Sequence, residues 1–172
     1  FGNRVDINAY GMRSPDFPEH KTSPDELRVM VIGDSVVFGG TQVDQADLAT
    51  TLLQQKLAES TRRPTVVGNI SAGSWGPPNI LAYVKTYGLF DADVVLIVLS
   101  SHDAADRPTF EPLNPNTHPT RTPLLATWEG ATRYLPRYLP GGNGASAAPP
   151  EDGSAATDED LAVSLGALAS LI

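Results

Sequence analysis

Three short runs of small polar residues hold the groups that could carry acyl chemistry. Gly33-Asp34-Ser35 follows one apolar run, Asn69-Ile70-Ser71-Ala72-Gly73-Ser74 closes a second, and Ser100-Ser101-His102-Asp103 follows a third. A serine hydroxyl becomes an attacking group when it stands on a tight turn with a base in reach. It also needs N–H donors from neighbouring loops aimed at the oxygen that gains charge. Three Gly/Ser-rich strand ends meeting on one rim would satisfy that geometry.

The elements that must position them are legible in the apolar pattern. Leu27–Ile32 (LRVMVI) is a short β-branched run that meets Gly33, and it reads as a buried strand of a parallel sheet. From Asp47 to Glu59 the leucines at 48, 52, 53 and 57 recur at helical spacing and predict one apolar stripe. Pro64 follows, and Thr65–Ile70 forms a second strand. Pro78 opens a second helix through about Tyr87, with Ile80, Leu81, Val84 and Tyr87 facing inward. Ala92–Leu99 (ADVVLIVL) is the strongest strand in the sequence. Strands alternating with helices signal βαβ units and a parallel sheet with helices on both sides. In open sheets of that kind ligands bind beyond the carboxyl ends of the strands, which is where the three polar runs fall.

Around this centre the chain changes character. Residues 1–26, broken by Pro15, Pro18 and Pro24, predict an extended lead-in wrapped on the surface of an α/β domain covering 27–172. After Leu99 come nine of the 15 prolines, at 108, 112, 115, 119, 123, 136, 140, 149 and 150. Together with the low-complexity stretch 141–157 they read as a long Pro/Gly-rich insertion at about 104–157. Thr157 reads as an N-cap with Asp158, Glu159 and Asp160 in the first turn, where the helix dipole favours acids. That helix runs to Ile172. Both ends read as cut, since the chain starts at Phe1 without methionine and stops inside an apolar helical face.

The phrases VMVIGDSVVFGG, VVGNISAGSWG and DVVLIVLSSHDAAD together resemble, in order, three blocks of the SGNH (GDSL-like) hydrolase family. That group comprises flavodoxin-like esterases, lipases and carbohydrate O-acyl esterases or transferases. The resemblance implies a three-layer αβα fold with a parallel sheet, incomplete at the C-terminus. It implies that Ser35 is the nucleophile and that its backbone N–H is one oxyanion donor. Ser74, preceded by Gly73, stands where the family has the glycine whose N–H is a second donor, and Asn69, which ends the strand before it, is expected to bind substrate. In the third block Ser100 stands for a glycine, His102 for an asparagine that donates to the oxyanion, and Asp103 for an aspartate. An imidazole can also donate from a ring nitrogen, so that role could survive in altered form. No Asp-x-x-His, the block that supplies the family's base, occurs after Ser35, and the base is expected beyond Ile172. The lead-in VDINAYGMRSPDFPE resembles the Asn-x-x-Gly-x-Arg segment ahead of Gly-Asp-Ser in many bacterial members.

Each of these residues has a plainer reading beside the functional one. Asp34 reads as a hydrogen-bonder that holds the turn rather than an acid catalyst. His102 is either an oxyanion donor or a loop histidine satisfied by backbone groups. Asp103 and Asp106 could be caps or loop carboxylates, and His118 a substitute base or an exposed side chain. Trp75 either lines an acyl or sugar pocket or packs under its loop. Asp103, Asp106 and Glu111 have no metal-ligand spacing, so no metal is expected.

Composition narrows the field further. Twelve Lys and Arg against 20 Asp and Glu give a net charge of −8, which argues against a nucleic-acid partner. With no cysteine, thiolate chemistry, thiolate zinc sites and disulfide frameworks are excluded. Val94–Leu99, the longest apolar run, is far short of the ~20 residues a membrane span needs. The absence of cysteine is compatible with an exported or membrane-tethered bacterial domain. GDSVVFGG is neither a P-loop nor Gly-x-Gly-x-x-Gly, which weakens a nucleotide-binding reading. The expectation is a serine esterase or O-acyltransferase without cofactor, acting on a small-molecule or glycan ester, with O-acetyl carbohydrate foremost. The alternative is a non-catalytic module that binds a glycan or a partner protein chain.

Overall fold

The computed structural model describes residues 2–103, 125–135 and 157–171. The elements in order are β1 (Leu27–Gly33), α1 (Ser35–Phe38), α2 (Ala49–Thr61), β2 (Thr65–Ser71), α3 (Pro77–Tyr87), β3 (Val94–Ile97), α4 (Ala126–Glu129) and α5 (Asp158–Ala169). Two compact units are present, residues 1–108 with 156–172 and residues 109–155.

In the larger unit the strands form one parallel sheet in the order β2-β1-β3, so the protein has a mixed α/β fold. β1 is central, and its residues alternate between two cores. Met30 and Ile32 join Ile70 of β2, Ile80 of α3, Met12 and Phe90 on one face. Val29 and Val31 join Val67 and Val37 on the other, where Leu53 and Leu57 of α2 pack against them. Ile32, Ile70 and Ile80 are essentially inaccessible, and burying each such side chain contributes about 1.5–3 kcal/mol. The continuous apolar run of β1 therefore has its cause in helices on both faces.

Three expectations are corrected here. Leu52 is exposed, because the face of α2 turned to the sheet runs through Thr50, Leu53 and Leu57 and leaves position 52 outside it. The strand expected at Ala92–Leu99 is only four residues long, and Val94, Val95, Leu96 and Ile97 are each at least 36 % exposed. It lies at the sheet edge, paired to β1 on one side and to nothing on the other among the described residues.

The lead-in supplies the third. It contains no helix or strand, yet Asn8, Met12, Arg13 and Ser14 are buried rather than lying on the surface. Its Tyr10 and Phe17 stack edge-on against Phe90, with ring centroids 4.8 and 5.6 Å apart. Tyr83 of α3 donates its hydroxyl hydrogen to the Tyr10 carbonyl at 2.8 Å, and burial pushes that phenol's pKa up.

α5 opens with a reciprocal cap. The Asp160 N–H donates to the Thr157 hydroxyl, and the Asp160 carboxylate accepts the Thr157 N–H. The helix packs along α3. In the smaller unit α4 runs directly into a wider helical turn at Gly130–Tyr134, where the Thr132 hydroxyl donates to the Trp128 carbonyl at 2.8 Å. Among the described residues no helix is long and apolar enough to cross a membrane.

Candidate active site

The parallel register sets the three polar strand ends level. Gly33, the last residue of β1, is opposite Ser71 of β2, and Ile32 is opposite Ile97 of β3. The Val98 N–H donates to the Ile32 carbonyl at 2.8 Å, which carries the pairing one residue past β3. With neighbouring strands ~4.8 Å apart, the segments after Gly33, Ser71 and Val98 leave the sheet side by side. Gly33 is required at this point. A Cβ there would meet the Val37 side chain at 2.5 Å and the Val98 carbonyl oxygen at 3.0 Å.

Directly after Gly33 the chain turns into α1, a single helical turn. Asp34 is its cap, and its carboxylate accepts the Val36 N–H at 2.8 Å. This is the turn-holding role, so Asp34 is committed to backbone and not free as an acid. Ser35 is the first helical residue and is exposed; its N–H has no partner within the helix. Among the described residues no histidine or carboxylate is hydrogen-bonded to its hydroxyl.

Asn69 does not face this rim. It is fully buried, and its side-chain amide donates to the Val37 carbonyl at 2.9 Å and to the Thr50 hydroxyl at 3.2 Å. Its side-chain oxygen accepts the Ser71 hydroxyl. Every polar position of Asn69 is used inside the protein, so the substrate-binding role expected for it is replaced by a structural one. It fixes the C-terminal end of α1 from β2.

After β2, Gly73 and Ser74 are both exposed. Ser74 adopts φ +56°, in the left-handed region that costs a residue with a Cβ roughly 1–2 kcal/mol. The turn therefore has a glycine-type backbone occupied by serine. Ser74→Gly should stabilise the protein by about 1 kcal/mol or less, part of the relief being offset by the greater freedom of glycine in the unfolded chain. Thermal unfolding reads this as a small rise in Tm. Trp75 follows and is half-buried, its ring tilted against Tyr83 with centroids 5.6 Å apart. It packs under the loop.

The third rim segment is built by Asp103. This carboxylate is 2 % exposed and accepts both the Ser100 N–H at 2.7 Å and the Ser100 hydroxyl at 2.8 Å. Those bonds close a tight turn and leave His102 exposed at its surface. Asp106, Glu111, His118 and the low-complexity residues 141–156 lie outside the described residues. Among the described residues no three of His, Asp and Glu gather as a metal site.

Ser14 and Arg13 were not anticipated at this site. The Asn69 N–H donates to the Ser14 hydroxyl at 2.9 Å, and Arg13 is wholly buried against the loop that follows α1. The Asn-x-x-Gly-x-Arg spacing marked this segment but assigned it no task. Comparison of the chain with protein-family models, with curated proteins and with solved structures found no match.

Proposed function

We propose that the protein is a serine esterase or O-acyltransferase of the SGNH type, with Ser35 as nucleophile. The observation that carries the reading is the placement of Ser35, exposed and first in a one-turn helix capped by Asp34 at the end of the central strand. Two further polar turns flank it in register. The sequence resemblance supplies the three-layer αβα, flavodoxin-like assignment. It is also the source of the ester class and, by fold analogy alone, of the O-acetyl carbohydrate preference.

In this mechanism the Ser35 Oγ attacks the ester carbonyl carbon and its proton passes to a base that is not among the described residues hydrogen-bonded to it. The carbonyl oxygen takes up negative charge and is held by the N–H groups of Ser35 and Ser74, with the exposed imidazole of His102 as a third donor. The tetrahedral species collapses, the C–O bond to the leaving alcohol breaks, and the alcohol departs with the proton. Water or an acceptor hydroxyl then attacks the Ser35 ester and regenerates the free serine.

A second reading has its own support. His102 stands where an asparagine would donate, the Asp103 carboxylate is committed to Ser100, and no described residue activates Ser35. These favour a non-catalytic module that binds a glycan or a partner protein. Labelling of the full-length gene product with a fluorophosphonate decides between the two. Covalent labelling that is lost in Ser35→Ala is expected for the enzyme. A folded wild-type protein that takes no label would overturn that reading in favour of the binding module.

A further inference from the structure

We infer that Arg13, from the lead-in, is a positioning residue for Ser35. The inference rests on the esterase reading above. Arg13 is 0 % exposed. Its guanidinium donates to the Phe38 carbonyl at 2.8 Å, the Gly40 carbonyl, the Val43 carbonyl at 2.6 Å and the Gln45 side-chain oxygen at 3.2 Å. It also lies over the Phe38 ring, 5.5 Å from the centroid. All of these partners belong to the segment that begins three residues after Ser35.

That segment has little to hold it otherwise. Gly39 and Gly40 have φ of +75° and +57°, and only two backbone bonds close the turn, from the Phe38 N–H to the Asp34 carbonyl and from the Gly39 N–H to the Ser35 carbonyl. α1 is a single turn, too short to persist on its own propensity. Its last carbonyls are instead claimed by two buried side chains, Val37 by Asn69 and Phe38 by Arg13. The lead-in adds lighter ties to the same segment. The Asn3 side-chain amide donates to the Thr41 and Gln42 carbonyls, and the Arg4 N–H to the Asp44 carboxylate.

The choice of residue fits this task better than it fits stability. The hydrogen-bond acceptors of the guanidinium are all neutral, and burying a cation against neutral groups forgoes the attraction of an ion pair. What the planar fork provides is several donors at fixed angles, enough to reach three carbonyls and an amide oxygen at once. A lysine ammonium projects its donors from one point and cannot span them. The lead-in therefore sets the direction of the turn that presents the Ser35 hydroxyl and N–H.

The test is the kinetics of fluorophosphonate labelling of Ser35 in the full-length protein, per folded molecule. Arg13→Lys should lower the limiting rate about 100-fold, the scale expected when a reacting group is misplaced by an ångström, with little change in the half-saturating concentration. Arg28→Lys alters an equally buried arginine at the opposite end of β1, so it should lose stability and keep the wild-type rate. Guanidinium at millimolar concentration should restore part of the rate to Arg13→Ala. Wild-type kinetics in Arg13→Lys would overturn the inference and leave the esterase reading standing. A wild-type protein that takes no label would overturn both. If Arg13→Lys does not fold, Asn3→Ala, at an exposed position, should still label several-fold more slowly, and an unchanged rate there would overturn the inference.

Discussion

Arg28→Met is expected to lower the unfolding free energy by about 3–5 kcal/mol, a large share of the 5–15 kcal/mol typical of a domain. Arg28 is 0 % exposed and Glu26 4 %. The guanidinium donates twice to the Glu26 carboxylate, at 2.8 and 2.5 Å. It also holds the carbonyls of Pro18, Glu19 and His20 from the lead-in and of Phe90 from the segment after α3. Methionine would fill the space, but it would leave the buried Glu26 carboxylate without its cation and four carbonyls without this donor. Urea unfolding would register the loss as a lower midpoint. The double variant Arg28→Met/Glu26→Leu should recover part of it, because the carboxylate left behind is then gone.

The same pair gives a pH dependence of defined sign. Burial pushes the Glu26 pKa up, but hydrogen bonds from Arg28 and Thr22 outweigh it and hold the carboxyl below its ordinary value of 4.5. A carboxyl lowered in the folded state contributes stability above its unfolded pKa and loses it as pH falls through the folded one. Stability should therefore drop as pH goes below 4.5. In Glu26→Gln that acid-side slope should be shallower.

Asn69→Asp is expected to destabilise the protein by about 3 kcal/mol or more at neutral pH, although it changes a single atom type. The new oxygen would face the Val37 carbonyl at the 2.9 Å where an N–H now donates, in a position with no access to water. An ionised group there is unfavourable, so the folded-state pKa of the introduced carboxyl rises. Its penalty is present at high pH and fades as the group takes up a proton, which can then be donated to Val37. The difference between wild type and variant should thus narrow from about pH 7 to about pH 4. Paired urea titrations would measure it, and a gap independent of pH would show that Asn69 acts through shape alone.

The contrast between Asn69 and Ser35 shows where reading the chain by pattern stops. β1 and β2 were legible because burial on both faces leaves a continuous apolar run, and the α5 cap because its partners are three residues apart. The rim could be located from parallel topology, which sends strand ends to one side. What period and composition do not carry is the direction of a polar side chain at a strand end. Asn69 looks like a rim residue, and it points inward because Val37 and Thr50 need its donors. Arg13 and Arg28 were hidden for the same reason. Their acceptors lie up to 32 and 62 residues away along the chain, so a proline-broken polar segment reads as surface when it is threaded through the interior. The strand at 94–97 was visible as a strand, but its edge position depends on pairing that no local pattern encodes.

Met12 and Met30 are the only sulfur atoms in a chain with no cysteine, and both side chains are fully buried around Gly68. A Cβ on Gly68 would lie 2.5 Å from one sulfur and 3.2 Å from the other, so the two thioethers fill the space a side chain would take. This gives the molecule an internal clock. Peroxide can reach neither sulfur until the fold opens, so the rate at which each gains an oxygen counts the opening of its own element. Met12 times the release of the lead-in, and Met30 times the parting of the sheet from its helices.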